Sequence, residues 1–103
     1  MIRERKLTYL ALQGDEFGCM LGYTLMKTTQ YFEYTHQRPD RVMILDEWIE
    51  RVIKNPLREK VQSDGRIRRW ARIDEMENRA LRVILLEDGE TVHNAFFDRN
   101  FKE

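Results

Sequence analysis

A chain of 103 residues, with 42% hydrophobic and 35% charged side chains, suits one globular domain with one modest core rather than a disordered segment. Eighteen Lys/Arg against eighteen Asp/Glu give a net charge of zero, which excludes indiscriminate coating of nucleic acid. The single cysteine, Cys19, excludes an internal disulfide and any Cys-x-x-Cys zinc motif, and no apolar run is long enough to span a bilayer.

Residues 1–30 form an N-terminal segment that is hard to read. Leu7 to Leu12 suits a strand or a helical turn, Gly14-Asp15 a turn, and Phe17 to Tyr23 a short helix or strand. The apolar run 17–26 is too late, too short and too glycine-broken for a signal peptide, so the expected compartment is the cytoplasm, with no membrane partner. The domain proper is expected over residues 31–103. Tyr31 to Arg41 is a short element that stops near Gln37 because of Pro39, with Asp40 free to cap the next element. Met43 to Asn55 is the clearest helix: Leu45, Trp48, Ile49, Val52 and Ile53 make one apolar stripe. Glu47–Arg51 and Glu50–Lys54 are i,i+4 pairs, and Asn55-Pro56 ends the helix. Three strands come next, near 65–73, 80–87 and 90–97, the last two joined by a two-residue turn at Asp88-Gly89. The expected fold class is α+β: a small antiparallel sheet of three C-terminal strands, which the N-terminus can extend by a fourth, with helices on one face.

Charge is unevenly distributed. Arg58 to Arg72 carries six basic residues against two acidic, and Ile73 to Glu90 carries six acidic against two basic. In a strand, alternate side chains share a face. Ile67, Arg69, Ala71 and Ile73 therefore form a core face with Arg69 as its misfit. Arg66, Arg68, Trp70 and Arg72 form the other, where guanidinium groups and an indole suit phosphates and stacked bases. A merely solvated face, with Trp70 lying along arginine stems, is the plain alternative.

A two-residue turn would pair Leu85 with Val92, Ile84 with His93 and Val83 with Asn94. That register sends Asn94 and Phe96 to the helix-covered floor and sets Arg82, His93, Ala95 and Phe97 on the face of Arg66, Arg68, Trp70 and Arg72.

Several stretches carry a family resemblance: Thr35-His36-Gln37-Arg38, Trp48 to Pro56, Asp64 to Trp70, Leu81 to Leu85 and Val92 to Arg99. In a helix-then-three-strands order, over about residues 31–101, they resemble small bacterial RelE-like domains of the barnase–EndoU–colicin–RelE nuclease superfamily. The resemblance implies a metal-independent endoribonuclease, a toxin held by a partner antitoxin. The neutral charge departs from the strongly basic RelE-like pattern.

Metal-free RNA cleavage needs a proton carrier near neutral pH and fixed cations on the phosphate. The candidates are His93 as general acid or base and His36 as a second proton carrier. Arg68, Arg82 and Arg66 would hold the phosphate, Trp70 would stack a base, and Arg72, Arg38 and Arg99 complete the substrate-binding set, with Asp98 or Arg99 orienting the site. Each has a structural alternative: His93 packed in a strand, His36 in a turn, Asp98–Arg99 as an ion pair or turn cap. No Gly-rich phosphate loop, Ser–His–Asp order or His-x-x-x-His pair is present, and no cofactor or metal is expected. Two further functions fit the same residues: a non-catalytic module binding RNA or an acidic protein through the Arg/Trp face, and a structural homodimer formed through Ile84, Leu86 and Phe97.

Overall fold

The computed structural model describes residues 2–11 and 20–102. In chain order these form β1 (Ile2–Ala11), β2 (Met20–Thr29), α1 (Gln30–Thr35), α2 (Asp46–Lys54), β3 (Arg58–Val61), β4 (Ile67–Ile73), β5 (Arg79–Leu85) and β6 (Val92–Phe97), with a 3-10 turn at Asp74–Met76. The strands make one sheet in the order β1-β2-β6-β5-β4-β3. All neighbours are antiparallel except β2 and β6, which meet in parallel at Thr28 and Val92. The α+β class stands, with more strands than the sequence indicates. The N-terminal segment adds β1 and β2, and β3 is a fourth strand after the helices. Strand β3 escapes sequence reading because all four of its residues are exposed, so it lacks the alternation that marks a half-buried strand. Cys19 and the Gly14-Asp15 turn lie outside the described residues.

One face of the sheet carries the core. Phe32 of α1 and Trp48, Ile49 and Val52 of α2 pack with Ala71, Ile73, Leu81, Val83, Leu85, Val92 and Ala95. Helix α1 starts where the Thr29 hydroxyl accepts the Phe32 N–H at 3.1 Å. Helix α2 is three residues shorter at its start than its periodicity suggests. Leu45 is its N-cap and makes no side-chain cap, while Asp40 pairs with Arg38 and Arg41 instead of capping. The Glu50–Lys54 pair forms at 3.2 Å. Arg51 instead grips Glu75 through two bonds of 3.0 Å, tying α2 to the turn after β4 and holding the Glu75 carboxyl down at about 2.

The inward Arg69 is not orphaned. Its guanidinium donates to the Ile53 carbonyl at 2.9 Å and pairs with Glu59 at 3.2 Å. The misfit on the core face thus satisfies one of the carbonyls that every helix C-terminus leaves open.

The β5–β6 connection differs from a two-residue turn. Leu86 N–H donates to Thr91 O, Gly89 N–H to Leu86 O, and Gly89 has φ of 71°, so four residues, Glu87 to Glu90, form the loop. Asp88 organises it, accepting from the Glu90 and Thr91 N–H groups at 2.9 Å and from the Thr91 hydroxyl at 2.5 Å. The loop keeps the expected Leu85–Val92 pair, but the next pair is Ile84 with Asn94. A β-bulge at His93 accounts for the extra residue. Downstream the faces reverse: Ala95 and Phe97 join the core side, while Asn94 and Phe96 sit on the opposite face beside Ile84 and Arg82. The expected pairs of Ile84 with His93 and Val83 with Asn94 are thereby corrected.

Replacing Asp88 with alanine removes three bonds from the loop that sets this register. Asp88→Ala should lower stability by about 1–2 kcal/mol in urea titration, and exposed Glu87→Ala should stay within about 0.5 kcal/mol of wild type.

Candidate nucleic-acid interface

The β4–β5 register pairs Arg68 with Ile84, Trp70 with Arg82 and Arg72 with Ala80. Arg68, Trp70, Arg72 and Arg82 therefore share the helix-free face, with Arg66 one step before β4. The structure gives these groups three different roles.

In the middle, Trp70 is enclosed. Its indole N–H donates to Asp98 Oδ2 at 2.9 Å, Phe101 stacks on it at 5.7 Å, and it is only 6% exposed. Arg58 and Arg82 lie 5.9 and 5.4 Å from its ring centre, and Arg58 also donates to the Lys102 carbonyl at 2.9 Å. Arg82 donates from Nε and Nη2 to the same Asp98 oxygen at 3.2 and 2.8 Å. Burial alone would raise the Asp98 pKa. The Trp70 N–H, the Asn100 N–H and the Arg82 guanidinium outweigh it and hold the carboxyl below its ordinary value. This centre is a structural knot that pins the C-terminal segment across the sheet. Trp70 has no open ring face for a base, and Arg82 already has its anion. Asp98 does orient Arg82, but as a locked ion pair.

At the end nearest the β3–β4 turn the basic groups are freer. Arg68 donates to the neutral Gln62 Oε1 at 2.9 Å. Arg66 is exposed and lies 3.9 Å from Asp64. His93, in the bulge, faces the β2–α1 junction, with Nδ1 3.0 Å from the Thr29 hydroxyl and its ring stacked on Tyr31 at 4.7 Å. Thr29 Oγ1 also accepts the Phe32 N–H, so one hydroxyl both starts α1 and engages Nδ1, and Nε2 is the ring nitrogen not held by Thr29. Burial lowers the His93 pKa, the charge of Arg66 lowers it further, and Asp64 partly opposes the shift. Tyr31 carries no local signal as a site residue, because its relation to His93 exists only through the β2–β6 contact.

At the opposite end a cleft of about 790 Å³ opens beside the start of β5 and the end of β6. Arg72 and Arg99 of the expected set line it, together with Arg41 and Arg79. Arg72 donates to the Asn78 carbonyl at 3.1 Å and covers Phe101.

The two histidines engage different surroundings. His36 stacks on Phe32 at 4.8 Å and lies 3.8 Å from Asp46, with its side chain 11% exposed, so it joins α1 to the start of α2. Arg38 is exposed near Asp40. Both are engaged at the connection between the helices rather than at the His93 end of the sheet. Among the described residues, no group of three His, Cys, Asp or Glu side chains could hold a metal ion, and no helix is long and apolar enough to cross a membrane. Comparison with protein-family models, curated proteins and solved structures finds no match to this chain.

Asp98→Ala strands the Arg82 charge and the Trp70 N–H and should cost about 3 kcal/mol or more by chemical denaturation, whereas Arg68→Ala should change stability by less than about 0.5 kcal/mol. His93 should titrate below 6.5 in an NMR pH series, and Arg66→Gln should move it upward. Since the folded pKa lies below the unfolded value, the stability contribution of neutral His93 is present above about 6.5 and lost as pH falls through the folded value.

Proposed function

We propose that this chain binds the phosphate backbone of single-stranded RNA, without cleaving it, through Arg66 and Arg68 on its helix-free sheet face and His93 at the adjoining β6 bulge. The observation that carries this reading is the setting of His93. Its Nδ1 is engaged by Thr29, its ring is held against Tyr31, and it feels the charge of Arg66. The nearest partners of Arg66 and Arg68 are a loosely placed carboxylate and a neutral amide. With Nδ1 engaged by Thr29, Nε2 is the nitrogen left to donate to a phosphate oxygen, and Arg66 and Arg68 supply the charge. Acid–base cleavage would need a second proton carrier, and His36 is too enclosed between Phe32 and Asp46 to serve as the partner. The neutral overall charge favours a small, local phosphate footprint over a wide one.

A second reading, metal-independent cleavage as in RelE-like toxins, draws on the lowered His93 pKa, which keeps the imidazole neutral at physiological pH. A labelled single-stranded RNA, incubated with the protein in EDTA, separates the two. Binding should weaken with salt, and Arg66→Gln/Arg68→Gln should reduce the slope of log affinity against log salt by about 0.7 for each phosphate-neutralising arginine removed. The RNA should stay intact. Cleavage products that vanish with His93→Ala would establish the nuclease reading instead, and no salt-dependent binding at all would reject both.

A further inference from the structure

The cleft at the far end of the sheet is a candidate anion site, separate from the Arg66–Arg68–His93 end. Its lining carries four guanidiniums, from Arg41, Arg72, Arg79 and Arg99, and three carboxylates, from Asp40, Glu77 and Asp98. Asp98 is already matched by Arg82, which lies outside the lining. Arg72 is engaged by the Asn78 carbonyl and lies over Phe101, so among the described residues three cations, Arg41, Arg79 and Arg99, face two carboxylates, a surplus of one positive charge.

Arg41 is the central group. Its side chain is half-buried, at 17% exposure, and a guanidinium so far withdrawn from water is ordinarily matched by a hydrogen-bonded carboxylate. Here its short bond, 2.6 Å, goes to the neutral Asn94 Oδ1, and its group lies 5.2 Å from the Phe96 ring centre. Among the described residues its one carboxylate contact is Asp40, at 3.9 Å, beyond hydrogen-bond length. The amide and the ring hold the guanidinium in one orientation without neutralising it, which is the preorganisation that an anion site needs. Asn94 reaches this position only because the His93 bulge turns it away from the core.

The cleft rim adds a second observation. Glu77 and Asn78 are consecutive non-glycine residues in the left-handed region, with φ of 57° and 62°, and both line the cleft. Such conformations are unfavourable and cluster at ligand sites. The turn they form also presents the Asn78 carbonyl that anchors Arg72.

We infer that this cleft binds a dianionic phosphate monoester, with Arg41 as the fixed anchor and Arg79 and Arg99 closing from the rim. The rings of Phe96 and Phe101 are already covered by Arg41, Arg82, Arg72 and Trp70, so recognition rests on the phosphate and not on base stacking. The monoester can be a small metabolite or the terminal phosphate of an RNA strand.

Isothermal titration of the full chain with uridine 5′-monophosphate tests this, with uridine as the uncharged control. The mononucleotide should bind saturably and uridine should not. Arg41→Gln should weaken binding about tenfold or more. If Arg41→Gln fails to fold by circular dichroism, the exposed Arg79→Gln/Arg99→Gln double variant replaces it, with the same expected loss. Arg66→Gln/Arg68→Gln should leave the affinity unchanged, so failure here and failure of the RNA-backbone reading remain distinguishable. A pentanucleotide with a 5′-phosphate, compared with its 5′-hydroxyl form, identifies the source. Given saturable binding of the mononucleotide, tighter binding of the 5′-phosphate strand than of its 5′-hydroxyl form indicates an RNA terminus, and equal binding of the two strands a small phosphate ester; both support the site. Absence of saturable binding of the mononucleotide, or binding unaltered by the cleft variants, would overturn it.

Discussion

The extra residue at His93 governs which side of the sheet each β6 side chain reaches, and both candidate sites depend on it. Val92 keeps its pairing with Leu85 and stays in the core, but from Asn94 onward every residue is turned over. Ala95 and Phe97 then complete the core beneath α2, which a polar Asn94 could not do without stranding its amide. The same inversion delivers Asn94 and Phe96 to the face where they hold Arg41 and Arg82. His93, as the bulged residue, is released from the ladder and held by Thr29 and Tyr31.

The arginines of this small sheet show how little residue type says about role. Arg69 faces the core side and satisfies the end of α2; Arg82 is locked to Asp98; Arg58 caps the tail and covers Trp70. Arg66 and Arg68 have only a loosely placed carboxylate and a neutral amide as partners, and Arg41 is oriented by an amide, with Asp40 as a distant ion-pair partner at 3.9 Å. A guanidinium already hydrogen-bonded to a buried carboxylate has little to offer a phosphate, because binding would first require breaking the existing pair. The two places proposed for phosphate are those where the nearest carboxylate stands beyond hydrogen-bond length, at 3.9 Å.

A large share of the fold could be read from local pattern. The apolar stripe of Leu45, Trp48, Ile49, Val52 and Ile53 specified α2, although Leu45 proves exposed, and the alternation in 65–73 and 80–87 specified β4 and β5 with Arg68, Trp70, Arg72 and Arg82 on one side. These are short-range periodicities, written into residues three, four or two apart. The Asp88-Gly89 pair located the reversal between β5 and β6 and the correct Leu85–Val92 neighbours, although the loop closes over four residues. Strand β3, being exposed throughout, left no such mark.

Tertiary structure alone decided the state of each candidate side chain. The bulge at His93 has no local signature, since it is set by whether Asn94 or Ala95 better fills the space under the helices. Enclosure of Trp70 depends on Asp98 and Phe101, about 30 residues away in sequence but adjacent across the sheet. Separation of His36 from His93 arises because α1 presents Phe32 to one and Tyr31 to the other. The sequence by itself determined the α+β class, the amphipathic helix and the arginine face, because these derive from periodicity. Which arginines remain available, and that the two histidines have different neighbours, depend on long-range contacts that no local spacing encodes.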